Sequence, residues 1–147
     1  MKLKYRVWDK KDKRWVVNVQ VDFSGVLWWQ YGDSLRVIDN PERYDVQLFT
    51  HLLDKNEKEI YEGDIVLLED SYKHIITDDG AGPTEPANHC APVSFENYSW
   101  GATVPKDDGA DWYDPGFHSF DEINETTGLE TLEVIGNIYE NPDLLKP

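Results

Sequence analysis

The sequence predicts an all-β, or β-dominated, fold, and three observations carry that expectation. Apolar and polar residues alternate through the opening stretch, the pattern of half-buried strands. Clusters of Gly, Pro, Asn and Asp then cut the rest into six to eight strand-length pieces, with room for one or two short helices. The composition, 39% hydrophobic and 13% aromatic with six Trp, supports a packed core over a disordered chain. A length of 147 residues suits one domain, so residues 1–147 are taken as a single domain.

The elements follow in order. Leu3, Tyr5 and Val7 alternate with Lys4 and Arg6, and Trp15, Val17, Val19, Val21 and Phe23 alternate with mostly polar residues. The polar turn Asp9-Lys10-Lys11-Asp12-Lys13 makes the pair a β-hairpin. Gly25 breaks the pattern, and Val26 to Tyr31 resumes it as an apolar strand before turn signals at Gly32-Asp33 and Asp39-Asn40-Pro41. From Asp45 the periodicity is balanced: Val46, Phe49, Leu52 and Leu53 suit a helix, whereas Val46, Leu48 and Thr50 suit a strand. Asp54 to Lys58 reads as a turn into Glu59-Ile60-Tyr61, and Glu62-Gly63-Asp64 as a second turn into Ile65-Val66-Leu67-Leu68.

Asp78 to Pro92 contains almost no core-forming side chains and reads as a long loop. Val93-Ser94-Phe95 and Tyr98 to Val104 form a strand pair around Asn97, and 105–118 is irregular and acidic. Ser119-Phe120-Asp121-Glu122 fits a capping box for a short helix ending near Gly128. Leu132 to Tyr139 makes the last strand, in which Gly136 suggests a bulge or a close crossing by another backbone. Asn141-Pro142 starts one terminal helical turn.

Charge narrows the function classes. Lys and Arg number 14 against 29 Asp and Glu, a net charge of −15, which argues against a nucleic-acid binder and against docking on anionic lipid. The acids are uneven: residues 1–14 carry a net +5, whereas 107–147 carry eleven acids against Lys146 alone. The two ends either pair with each other or meet a partner. Lys10, Lys11, Lys13 and Arg14 leave a weaker nucleic-acid reading at the hairpin turn. A single cysteine excludes a disulfide framework. The N-terminus lacks the apolar core of a signal peptide and no run is long enough to span a membrane, so an intracellular, soluble protein is expected.

Three stretches carry a resemblance. Lys4-Tyr5-Arg6-Val7-Trp8-Asp9-Lys10, Leu52 to Val66 (LLDKNEKEIYEGDIV) and Val134 to Leu145 (VIGNIYENPDLL) are similar, in the same order, to motifs of the YopX family of phage and prophage proteins. The resemblance implies a small barrel-like β-fold, a strand at Val46–Thr50, a phage or prophage origin and hence the host bacterial cytoplasm. It implies no activity. Residues 70–92 and 105–118 fall outside it and are expected to be variable loops. Glu57 stands where the family often has Gly, so the turn there is expected to place Asn56 alone in the left-handed region. The motif residues Trp8, Asp9, Tyr61, Gly63, Asp64, Gly136, Asn137, Tyr139, Asn141 and Pro142 contain no nucleophile elbow, phosphate loop or metal box, and are read as structural.

Candidate chemistry is thin elsewhere. Cys90 follows His89, but neighbours in extended chain face opposite ways, so a shared metal or a base–nucleophile pair is awkward. His51, His74, His89 and His118 are scattered, and the loops at Asp54, Asp107 and Asp111 fail the EF-hand spacing. No catalytic residue, metal ligand or cofactor is assigned. Two glycosylation-type triplets, at Asn97 and Asn124, carry no weight without a secretory signal. Trp28-Trp29-Gln30-Tyr31 places adjacent Trp on opposite faces of a strand, so one faces a core and the other needs a cover: a loop, a subunit or a ligand. Trp100, Trp112 and Tyr113 extend the question into the acidic half.

The expected function is therefore a non-enzymatic, self-associating protein-interaction module, a homo-oligomer that also meets an unidentified host or phage protein. The alternatives are an acidic DNA mimic that blocks a nucleic-acid-binding enzyme, and a cation-assisted hydrolase working from the acidic loops.

Overall fold

The computed structural model describes residues 4–74, 84–106 and 112–145, with backbone alone at 71–74 and 84–87. It is all-β, as expected, with 53% strand and 14% helix. The chain gathers into two compact units, Met1–Phe49 and Thr50–Pro147. Each is described by itself.

In the first unit, strands β1 (Tyr5–Asp9) and β2 (Arg14–Val16) form the expected hairpin, with Val7 opposite Val16 and Trp8 opposite Trp15. The Asp9 carboxylate closes its turn by accepting the Lys11 and Asp12 N–H groups at 3.0 and 3.2 Å. The second half of the alternation is not one strand. Asn18 takes a left-handed conformation (φ 55°), which Asn tolerates, and the chain leaves β2 for a second sheet. That sheet is β3 (Val19–Val21), β4 (Leu27–Tyr31) and β5 (Ser34–Val37), in that order. The break leaves Val17 and Phe23 in solvent. Pro41–Arg43 is a single 3-10 turn, and the balanced stretch after it is strand β6 (Tyr44–Leu53), paired antiparallel to β1 from Tyr5↔Leu48 to Asp9↔Tyr44. The unit's core is Val7, Val19, Leu27 and Ile38, with Trp29 and Tyr44 packed on it.

In the second unit, β7 (Glu59–Tyr61) and β8 (Asp64–His74) stand where the turns at 54–58 and 62–64 put them. The expected loop at 78–92 is corrected over 84–92: β9 runs Thr84–Glu96 between β8 and β10 (Ser99–Val104). Its Pro- and Ala-rich composition hid it, because its partners rather than its own propensity hold it extended; Ala91 and Val93 lie in the core. The expected variable segments shrink accordingly, since 70–74 belongs to β8 and Gly116–Ser119 forms β11. The acidic stretch Asp107 to Asp111 lies outside the described residues.

Helix α1 (Phe120–Thr126) starts as predicted, with the Glu122 N–H donating to the Ser119 Oγ. Strand β12 (Glu133–Asn137) pairs with β8 and shifts register between Val134 and Gly136, the expected bulge. A Cβ on Gly136 would lie 2.7 Å from the Asn141 Oδ1 and 2.8 Å from a Leu144 methyl, so what crowds the glycine is side chains and not a second backbone. Pro142–Leu145 is the expected terminal turn, of 3-10 type. The core joins Ile60, Val66, Leu68, Phe120, Ile123 and Leu132.

The left-handed residue of the 54–58 turn is Glu57 (φ 63°), not Asn56. Asp54 decides this, since its Oδ1 accepts the Asn56 and Lys58 N–H groups at 2.8 and 2.9 Å and winds the chain so that the fourth residue takes the strain. Glu57→Gly relieves that strain and is offset only by greater freedom in the unfolded chain. It is expected to stabilise the protein by about 0.5–1 kcal/mol, checked by urea unfolding.

Candidate interaction surface

The family-motif residues are consumed by structure. Trp8 is buried edge-to-face on Trp15 at 4.9 Å between ring centres. Asp9 is buried and grips Arg43 through two bonds of 2.8 and 2.7 Å, which together with the turn N–H groups hold its carboxyl well below the usual carboxylate range. Within the basic head, Arg6 bonds the Gln47 Oε1 and stacks over Trp15.

In the second unit, the Asp64 Oδ2 accepts the Tyr61 N–H at 2.8 Å, and its Oδ1 accepts from the Asn137 Nδ2 at 3.2 Å. The Gly63 N–H donates to the Val93 carbonyl, and the Gly63 carbonyl accepts the Ile138 N–H. The Asn137 Oδ1 accepts the Tyr139 N–H, and the Asn141 Oδ1 accepts the Asn137 N–H, so Asn141-Pro142 is fastened back to β12. The two signature motifs are thus one hydrogen-bonded knot.

Asp54, expected only as a turn residue, ties that knot to the turn at 54–58. Its Oδ2 accepts the Val134 N–H at 2.8 Å across 80 residues of chain, beside a Lys55 N–H bond to the Leu132 carbonyl. Burial pushes its carboxyl upward, but donors at Val134, Lys58 and Asn56 outweigh it, and the group lies below its ordinary 3.8.

A second polar pair has no sequence signal, because 19 residues separate its members. Asp70 and His89 are fully buried, with 2.7 Å from the His89 Nε2 to the Asp70 Oδ2, while the Asp70 Oδ1 accepts the Trp112 N–H. Cys90 follows His89 on β9, a strand and not the expected loop, and alternation turns it to the other face. His118 also serves structure, bonding Glu122 and the Asp114 carbonyl. Burial pushes its imidazole down, but these two partners outweigh it and the pKa is raised. Among the described residues no group of three or more His, Cys, Asp and Glu converges in a way that would hold a metal.

The six aromatics proposed as an interaction surface divide. Tyr113 is fully buried, bonded through its hydroxyl to the Thr127 Oγ1 and edge-to-face on His118, so it is core and not surface. Trp100 is half-buried, packed on the core and on Phe95; Trp112 is exposed. In the first unit, Trp29 faces inward onto Tyr44 at 5.5 Å between ring centres. Trp28 faces outward, as alternation requires, and its Nε1 donates to the Asp22 Oδ2 at 3.0 Å. The turn at 22–26 is therefore its cover: the Ser24 hydroxyl, the Trp28 indole and backbone donors hold the Asp22 carboxyl down to about 2.

What remains open is the outer side of the β3–β4–β5 sheet. Register places Gln20, Trp28 and Gln30 with Leu35 and Val37 on that face, since paired residues share a side. Leu35 is 54% and Val37 48% exposed there, while Tyr31, 60% exposed, belongs to the opposite face with Trp29 and Ser34. A shallow cleft lined by Gln20, Gln30, Gly32, Asp33 and Leu35 crosses the β4–β5 turn. The sequence reading did not include β5, because all four of its residues are exposed and no buried face marks it.

The family model described as "YopX protein" matches residues 4–146. No curated protein matches. Among solved structures, that of protein EF1440 from Enterococcus faecalis is similar in fold, with a TM-score of 0.55 and 21% identity over 99% of each chain. Among the described residues no helix is long and apolar enough to cross a membrane.

Asp54→Ala removes the acceptor for three backbone donors and is expected to cost about 3 kcal/mol at neutral pH. Because the folded pKa is lowered, that contribution is complete above the ordinary 3.8 and disappears as pH falls through the folded value. Urea unfolding of both proteins at pH 7 and in acid checks the convergence.

Proposed function

The chain belongs to the YopX family, and from that premise we propose that it is a non-enzymatic protein-interaction module that self-associates through its first unit, in the cytoplasm of a bacterial host. The observation that carries this reading is the contrast between buried and exposed chemistry. Asp9, Asp54, Asp64, Asp70, His89 and Asn137 are buried and each is engaged in bonds that hold backbone or a neighbouring side chain. These six buried groups are thus spent on the fold. The β3–β4–β5 sheet, in contrast, presents Leu35 and Val37 together to solvent on its outer face, on a unit whose own core is already closed. Exposed apolar side chains gathered on one small sheet suit burial against another protein surface.

Size-exclusion chromatography with light scattering, at low and high salt, tests the reading. The expected result is a discrete oligomer of the 17.1 kDa chain that persists in high salt, because apolar contacts are not screened. A monomer at every concentration overturns it. A monomer that binds a nuclease or polymerase, with affinity falling steeply as salt rises, overturns it in favour of the acidic mimic.

A further inference from the structure

The two edges of the β3–β4–β5 sheet are treated differently, and the difference points to a way of assembling. On the β3 side the Tyr5 hydroxyl reaches over the backbone, donating to the Val19 carbonyl at 3.1 Å and accepting the Val21 N–H at 3.2 Å. That edge is occupied by the chain itself. On the β5 side all four residues, Ser34 to Val37, are exposed.

The hairpin geometry says which backbone groups point outward there. Gly32 (φ 59°) and Asp33 form a two-residue turn with glycine first, the II′ type, which brackets Tyr31 and Ser34 as a hydrogen-bonded pair. Alternation then directs the N–H and C=O of Ser34 and Arg36 to β4, and those of Leu35 and Val37 away from it. The Ile38 N–H bond to the Leu27 carbonyl continues the same parity. The two outward-pointing residues are therefore also the two apolar ones.

We infer that a second copy of this chain docks here by antiparallel pairing of β5 with β5, about a two-fold axis at Leu35. This rests on the self-association proposed above and names its surface. An isologous edge needs a strand that matches itself in reverse. Two registers use the outward groups, keep the outer faces continuous and overlap three of the four β5 residues. Centring on Arg36 sets two like charges directly opposite, which is destabilising. Centring on Leu35 sets leucine against leucine and Arg36 against the partner's Ser34. The second is selected. It joins two three-stranded sheets into one of six, and continues the apolar strip of Trp28, Val37 and Leu35 across the axis. A hydrogen-bonded pair at the axis holds its two Cα atoms about 5.5 Å apart.

That spacing suits a disulfide, which supplies the test. Leu35→Cys in a Cys90→Ser background is expected to form a covalent dimer under mild oxidation, whereas Arg36→Cys in the same background, facing the other side, is not. Leu35→Pro removes an outward N–H while leaving every bond to β4, and an edge strand tolerates it. It is expected to give a folded monomer whose cooperative thermal unfolding no longer depends on protein concentration; if it fails to fold, Leu35→Lys, which sets two ammonium groups together at the axis, serves instead. A dimer that survives these substitutions, or no cross-link at Leu35, overturns the β5 pairing while self-association stands. A parent protein that is monomeric throughout overturns both.

Discussion

The second unit depends on one buried carboxylate. Asp54 satisfies the N–H groups of Asn56 and Lys58 within its own turn and that of Val134 from the far end of the chain. Local closure and long-range closure are thus the same side chain. A neutral substitute would leave several donors buried without a partner, which costs more than the bonds themselves return. The same logic recurs at Asp9, which closes a turn and anchors Arg43, and at Asp64, which closes a turn and receives Asn137. An acidic protein has here used its buried acids as acceptors for backbone.

That use shaped what was legible in the sequence. Where local chemistry sets structure, the residues announced it: Ser119 as a helix cap, Gly136 as a bulge, Asn141-Pro142 as a terminal turn, Asn97 as a hairpin turn with φ of 51°. The motif residues were read as structural, and the hydrogen bonds among Gly63, Asp64, Asn137 and Asn141 give the physical reason. Where tertiary partners set structure, the residues misled. Strand β9 looks like a loop because Pro86, Ala87, Ala91 and Pro92 have no strand preference of their own, and only β8 and β10 make it a strand. The alternation from Trp15 to Phe23 looks like one strand, because a single left-handed residue at Asn18 does not disturb the count of apolar positions.

The candidate surface was half legible. Alternation assigned Trp28 and Trp29 to opposite faces, and they are: one on Tyr44, the other on Asp22. The short alternation of Leu35 and Val37 with Ser34 and Arg36 went unused for β5, a strand exposed on both faces, and no pattern marks the Tyr5 hydroxyl that seals the opposite edge. Tyr113 was grouped with the exposed aromatics because it adjoins Trp112; its burial follows from Thr127 and His118, which the sequence places 14 and 5 residues away. An open edge is a hazard unless something pairs with it.

Amide hydrogen exchange followed by NMR at high and at low protein concentration reads both halves of this account together. The Val134 amide, bonded inside one chain, should be protected at both concentrations. The Leu35 amide, at the axis of the β5 pair, should be protected when the protein is concentrated and exchange freely on dilution. A Leu35 amide that exchanges freely at every concentration would contradict the claim that the fold keeps this edge for a second copy, and a freely exchanging Val134 amide the claim that its buried acids are spent internally.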